Sequence, residues 1–398
     1  MSEITRLTII NFRNLVAVQL DQLKRINFFY GLNGAGKSSL LEAISVIALG
    51  RSYRTRKTKL LINHGAQKFV LFAQVSELQS DGEKLSKVGV EKVRHGKDTV
   101  RVDETTVSSA AELAVITPII VINSASFCLF EGSPKDRRKF FDWLVFHVKH
   151  DFGDLWRDVT QCIKQRNALL RNLSSDASEL VPWDEQLVKL AYRIDELRVG
   201  CFKLFHSAFN RAIEKLGFCS EDVNLIYVSG WRDDGNSYAE QLHQAYDRDR
   251  KLGYTSLGPT KSEFKIFYKG LAAVDVLSRG QQKLLATAMY FSIALVFSEL
   301  TKRLPVFLLD DIHSEMDLVN QRNLGKWISE LKAQCFVTGV DQEQFESWWP
   351  ADEVQQNDRA MFHVKHGEVT RNAVISEEDI LDNHSSNNHS SNNNSLTG

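Results

Sequence analysis

The sequence predicts an α/β fold: a mixed sheet flanked by helices and accompanied by an antiparallel sheet, into which a mainly helical second lobe is inserted. Three observations carry this expectation. The loop Gly31-Leu32-Asn33-Gly34-Ala35-Gly36-Lys37-Ser38 fits G-x-x-x-x-G-K-[ST] and stands between a strand-like run at 25–30 and a segment at 39–47 with helical apolar spacing. Residues 154–216 are helical in pattern almost throughout. Pro305-Val306-Phe307-Leu308-Leu309-Asp310-Asp311 is a second short apolar run, and it ends on two carboxylates.

A chain of 398 residues suits two or three lobes. With 43% hydrophobic and 25% charged residues it has an ordinary globular composition. No apolar run approaches the length of a membrane span, and the start Met1-Ser2-Glu3-Ile4 carries no signal-peptide pattern, so a cytoplasmic protein without a membrane partner is expected. Five scattered cysteines without a C-x-x-C pair read as buried reduced thiols. A net charge of −1 neither requires nor forbids a nucleic-acid partner.

The glycines of the first loop let backbone N–H groups turn inward around phosphate oxygens, and the following helix offers its positive end to the same anion. Gly31, Asn33, Gly34, Gly36, Lys37, Ser38 and Ser39 are the candidate nucleotide contacts, with Lys37 reaching the β- and γ-phosphates and the Ser38 hydroxyl on Mg²⁺. Before the loop, residues 5–20 alternate as two strands around a turn at Phe12-Arg13-Asn14. Arg13 there is either a nucleotide contact or a solvated turn residue.

The connection at 51–59 holds Arg51, Arg54, Arg56, Lys57 and Lys59 with no acid, which suits phosphate backbone contacts or a solvated basic loop. Residues 69–102 alternate in strands separated by turns such as Ser80-Asp81-Gly82, and 116–123 reads as a buried strand. Ser133 and Pro134 read as N-cap and first residue of a helix whose Arg137 and Arg138 are exposed beside Phe140, Phe141 and Trp143. Those arginines could hold a phosphate, a carboxylate of another lobe, or water.

Leu277-Ser278-Arg279-Gly280-Gln281 opens a long apolar helix. In ABC-type ATPases such a segment presents serine and helix N-terminus to the γ-phosphate held by a partner subunit, making Ser278, Gly280 and Gln281 candidate contacts. Alone, the string reads equally well as an ordinary helix cap. The apolar run ending at Asp310 and Asp311 has the Walker B arrangement, in which Asp310 holds the Mg²⁺ shell and Asp311 orients or deprotonates the attacking water. Two buried, unpaired aspartates would be costly in a structural role. Ser314-Glu315-Met316-Asp317 resembles the D-loop that follows. The order of motifs makes an ABC-type head, and the roughly 240 residues between Lys37 and Ser278 favour the DNA-maintenance branch over a transporter subunit.

From these residues the chain resembles the RecF family of bacterial recombination-repair ATPases. The specific segments are Gly50-Arg51-Ser52-Tyr53-Arg54-Thr55, residues 132–143, and Leu277-Ser278-Arg279-Gly280-Gln281-Gln282-Lys283. The resemblance implies ATP and Mg²⁺ as cofactors, an ATP-dependent homodimer, and weak DNA-stimulated hydrolysis acting as a switch. It also implies binding to single-stranded, gapped and junction DNA, cooperation with RecR and RecO in loading RecA, and roles in replication restart and SOS induction. The chain departs from the family pattern at Gly258-Pro259-Thr260-Lys261-Ser262-Glu263 and at 122–127, so the family's contacts there are not carried over. At Val337-Thr338-Gly339 a threonine stands where ABC ATPases often place a γ-phosphate-sensing histidine, which suits slow hydrolysis.

The expected organisation is an N-terminal ATPase half at 1–125, a mainly helical insertion at 126–255, a C-terminal ATPase half at 256–372, and a low-complexity, disordered tail at 373–398. The competing readings are the ATPase subunit of a transporter, with no salt-sensitive DNA affinity, and an interaction protein that binds ATP without turnover.

Overall fold

The computed structural model describes residues 2–371 apart from 80–81, 108, 173, 175, 233 and 350–355. The chain opens with β1 (Ser2–Phe12), β2 (Leu15–Asp21), β3 (Ile26–Tyr30) and α1 (Lys37–Leu49). After an irregular connection follow β4 (Lys68–Gln79), β5 (Gly82–Val93), β6 (Thr99–Val102), β7 (Thr105–Thr106), α2 (Ala110–Ile116) and β8 (Ile119–Ile122). The second lobe brings α3 (Pro134–Val148), α4 (Phe152–Arg171), α5 (Val181–Lys215), β9 (Val223–Val228), α6 (Tyr238–Gln244), α7 (Tyr246–Leu252), β10 (Glu263–Tyr268) and β11 (Leu271–Ala272). The chain returns through α8 (Ala273–Val276), α9 (Arg279–Thr301), β12 (Val306–Leu309), α10 (Leu318–Leu331), β13 (Cys335–Gly339), α11 (Gln342–Trp348), β14 (Arg359–Lys365) and β15 (Glu368–Arg371).

A six-stranded sheet in the order β15-β14-β3-β13-β12-β8 forms the centre, parallel except for the β14–β15 hairpin. Apart from the exposed edge strand β15, its strands are buried on both sides, so side-chain alternation feeds two cores. Phe29, Val306, Leu308 and Phe336 pack with α1 and the antiparallel sheet β2-β1-β4-β5-β6-β7. Phe28, Phe307, Leu309 and Val337 pack with α9, α10 and the second lobe. Because the same strands supply both cores, their C-terminal ends are fixed in position, and it is there that the candidate site lies.

In the second lobe α4 and α5 pack along one another through Val159, Cys162, Leu187 and Ile194, as their apolar spacing predicts. Charge also enters this interior. The fully buried Arg166 donates to Asp184 at 2.6 Å and to Asp249 at 2.8 Å, tying α4 to α5 and α7. Arg198 on α5 donates to Asp142 on α3 at 2.8 Å and to the Pro259 carbonyl at 2.8 Å. Removing one partner of such a pair strands a buried charge, typically at a cost of about 3–5 kcal/mol.

Several expectations are corrected. The boundary placed between 255 and 256 cuts through one unit, because β9 pairs antiparallel with β10 from Val223↔Tyr268 to Val228↔Glu263. The strand expected from 116 starts at Ile119, since Ser109 caps a helix that runs through Ile116. Arg137 and Arg138 are not exposed: Arg137 pairs with Glu263 and Arg138 donates to the Ser262 carbonyl at 2.7 Å. The altered segment at 258–263 is thus held by arginines of α3 and α5. Cys162, Cys201 and Cys335 are buried, but Cys219 is exposed. By length and composition α9 could cross a membrane, contrary to the sequence expectation, but its apolar length is largely buried against the second lobe and α10. The turn at Ser80-Asp81, the Cys128 side chain and the tail at 373–398 lie outside the described residues.

Candidate nucleotide site

Gly31 follows β3 and begins the loop with φ 145°, where a Cβ would stand 2.2 Å from the Val364 carbonyl oxygen of β14. Only glycine lets the loop pass so close to its neighbour. The Gly31 amide donates to the Val340 carbonyl just past β13, at 3.1 Å. From the other side, Nδ2 of the Asn14 side chain donates to the Ala35 carbonyl at 3.2 Å, and the Gly367 backbone amide of the β14–β15 turn donates to the same carbonyl at 2.8 Å. The loop is therefore shaped by both hairpins that flank it.

Helix α1 then starts at Gly36, with φ 122° and no side-chain cap. Its first-turn amides, those of Lys37, Ser38 and Ser39 among them, have no intrahelical acceptor and form the positive end of the helix dipole. Lys37 is buried, and its ammonium donates to the carbonyls of Gly31 at 2.6 Å and Leu32 at 3.1 Å. Burial pulls its pKa below the ordinary lysine value, while the charges of Asp311 and Asp310 oppose that shift. Ser38 is half-buried and Asn33 exposed at the loop surface. The Ser39 hydroxyl is turned to Asn14, donating to Oδ1 at 2.9 Å.

Asp310 follows β12 and is buried, as expected, but it is not unpaired. Tyr53 donates to its Oδ2 at 2.7 Å and Thr338 to its Oδ1 at 3.2 Å. Burial first, then the charge of Asp310 and the hydrogen bond to it, raises the Tyr53 phenol well above its ordinary pKa and keeps it a donor. Asp311 is neither buried nor alone: its side chain is 62% exposed, its φ is 58°, and His313 lies 3.2 Å away. The left-handed backbone turns its carboxylate away from the strand and into the open. Its amide donates to the Thr338 hydroxyl at 2.9 Å, so Thr338 serves both aspartates.

Arg13 has φ 55°, and its guanidinium is engaged by Glu42 of α1 through two hydrogen bonds of 2.8 and 2.9 Å. Glu42 was not singled out from sequence, although an acid inside the apolar run of α1 was a visible signal, and Asn14, Ser52 and Tyr53 were named only as members of a turn and of the segment 50–55, without the partners the structure gives them.

At the other end of the head, Ser278 caps α9 in a box with Gln281. Its hydroxyl accepts the Gln281 amide at 3.3 Å and its own amide donates to Gln281 Oε1 at 3.0 Å. Ser278, Gly280 and Gln281 are exposed. Lys283, one turn on, pairs at 2.7 Å with Glu315 of the D-loop-like segment. Among the described residues, Ser278, Gly280 and Gln281 make no hydrogen bond or ion pair to the glycine loop.

The donor set fits ATP and Mg²⁺. A glycine cradle with uncapped helix amides and one lysine matches a polyphosphate. A hydroxyl, Ser38, and a buried carboxylate, Asp310, match a cation that keeps most of its shell as water and phosphate oxygen.

A family model described as the RecF/RecN/SMC N terminal domain matches residues 3–363. The chain is 46% identical over 372 residues to the DNA replication and repair protein RecF of Saccharophagus degradans, covering 93% of this chain and 99% of that one. It is 44% identical to the protein of the same name from Teredinibacter turnerae, covering 93% and 96%. In fold it is similar to the recombination mediator protein RecF-ATP, with a TM-score of 0.79 at 23% identity, covering 94% and 98%. A Smc head domain from Pyrococcus furiosus matches with a TM-score of 0.55 at 15% identity, covering 97% and 100%. An ABC-type head with an inserted lobe, matched over nearly its whole described length, places the chain in the RecF family.

Proposed function

We propose that the chain is an ATP- and Mg²⁺-dependent DNA-binding ATPase of recombinational repair and replication restart. The observation that carries this is the contrast at the site: the uncapped start of α1 beside Lys37 and Asp310, with Ser278 exposed on a different helix. Bound ATP–Mg²⁺ supplies the phosphates and the cation that join the two halves. The amides of the loop and Lys37 bind phosphate, Ser38 and Asp310 face the cation, and Asp311, open to solvent, orients or deprotonates the attacking water. Ser278 of a second copy closes the site, so ATP holds a homodimer together and hydrolysis releases it. Thr338 stands where ABC ATPases often place a γ-phosphate-sensing histidine, which supports slow turnover, and the family resemblance supports its stimulation by DNA.

The proposed substrate is single-stranded, gapped or junction DNA in the cytoplasm, and the proposed partners are RecR and, through it, RecO and RecA, with a part in SOS induction. The names of the relatives and the pathway given for the similar solved structures support this reading. Sedimentation with and without ATP tests the dimer, and a chain that stays monomeric at saturating ATP overturns it. Anisotropy titrations with gapped and plain duplex across salt test the substrate. Contacts from all five cations of residues 51–59 would give a log–log salt slope of about −4 to −5.

A further inference from the structure

Asp311 leaves β12 with φ 58°, and its carboxylate stands in solvent. An exposed carboxylate turns freely unless its oxygens are held, and a group that aligns a water has to be held. Both oxygens have a neighbour, and both neighbours belong to the helical turn Ile312–Ser314 that follows. His313 Nε2 lies 3.2 Å from Oδ1, and the Ser314 hydroxyl lies 3.3 Å from Oδ2. The same hydroxyl reaches the Asp311 carbonyl at 2.8 Å, and its single proton belongs to that shorter contact. His313 is therefore the stronger hold on the carboxylate.

The histidine is itself fixed in place. Its side chain is only 18% exposed, and its carbonyl accepts Nε2 of the buried Gln321 of α10 at 3.3 Å. The same Gln321 nitrogen donates to the Met316 carbonyl at 2.6 Å, so α10 pins the backbone on both sides of Ser314. The imidazole Nδ1 is buried and has no hydrogen-bond partner among the described residues. Nε2 faces a carboxylate while Nδ1 meets no acceptor, so the ring fits one tautomer, with its proton on Nε2. Packing alone would favour a side chain without polar atoms here, because a buried nitrogen left unpaired costs stability. The contact with Asp311 accounts for a polar ring at this place.

We propose that His313 is the positioning residue of Asp311: its Nε2–H holds the exposed carboxylate in the orientation that meets the attacking water. This rests on the reading that Asp311 orients or deprotonates that water. His313 acts through Asp311, so its loss should lower kcat and leave ATP affinity alone. A reacting group misplaced by about 1 Å can lose about 100-fold in rate, which sets the upper end of the expected effect.

The test uses the full chain and the variants His313→Leu, His313→Gln and Asp311→Asn. Phosphate release across ATP concentrations at saturating Mg²⁺ gives kcat and KM, and titration with a fluorescent ATP analogue gives affinity. Asp311→Asn should lower kcat about 100-fold or more. His313→Leu should lower kcat by up to about 100-fold at wild-type affinity, and His313→Gln, whose amide also donates, should restore most of that loss. A second readout needs no nucleotide: imidazole ¹H–¹⁵N spectra of the histidine-labelled chain, with the His313 signals assigned by their absence from His313→Gln. They should show the proton on Nε2 and should move in Asp311→Asn. A His313→Leu protein with wild-type kcat, or with a loss confined to KM, overturns the proposal while Asp311→Asn still reports on the aspartate. A His313 proton on Nδ1, or signals unmoved in Asp311→Asn, overturns the contact itself. Wild-type turnover in Asp311→Asn overturns the reading of Asp311 and the catalytic half of the proposal, while the nitrogen signals still decide whether His313 holds that carboxylate.

Discussion

The starts of α1 and α9 are both helix N-termini with serine and glycine close by, yet they are built in opposite ways. At α1 the cap is Gly36, its side of the helix is covered by two hairpins, and the first-turn amides are left for an external anion. At α9 the cap is Ser278, which satisfies and is satisfied by Gln281, and residues 278–281 are exposed. The first end is organised for a ligand by the surrounding fold. The second is stable by itself and can exchange one weak hydrogen bond of 3.3 Å for a better acceptor on another molecule.

The largest effect should come from breaking the enclosure of α1. Gly31→Val would press a side chain into the Val364 carbonyl at a left-handed backbone position, and about 3 kcal/mol or more of stability should be lost in urea melts. Lys37→Ala should leave the fold in place but lower ATP affinity about 100-fold by calorimetry. Lys37→Arg should keep most of the binding and lose turnover.

The packing behind α9 offers an intermediate test. His147 of α3 lies against Trp143, Phe146 and Phe297 of α9, and burial, helped by the Arg303 charge, lowers its pKa to about 3. The native state keeps this imidazole neutral while the unfolded chain protonates it near its ordinary value. Its contribution is therefore complete above that value and falls as the pH drops towards the folded pKa. A loss of about 1–2 kcal/mol between pH 7 and 5 is expected, and His147→Leu should reduce that loss.

The smallest effect belongs to the exposed cap. Ser278→Ala should cost about 1 kcal/mol of stability and leave ATP binding by the monomer unchanged, while abolishing ATP-driven association in sedimentation. If it weakens monomer binding as Lys37→Ala does, the contrast between the two helix ends fails.

What could be read in advance was local. The strand, glycine loop and helix around residues 26–49 form a contiguous pattern, as do the Ser133 and Ser278 caps and the apolar run into Asp310. The interior arginines were misplaced on the surface because the acid that receives Arg137 is 126 residues away. Asp311 was expected inside because its left-handed turn out of β12 leaves no mark on the apolar run before it.

Neighbours along the chain were enough to specify the ABC-type head and the order of its motifs, because helix caps, positive-φ glycines and side-chain alternation are local properties. Only the tertiary structure decided that β10 belongs with β9, that Glu42 gathers Arg13, Ser52 and Arg54, and that Tyr53 reaches Asp310 across 257 positions. Those partners are chosen by which buried polar groups the packing brings face to face, and no local pattern encodes that choice.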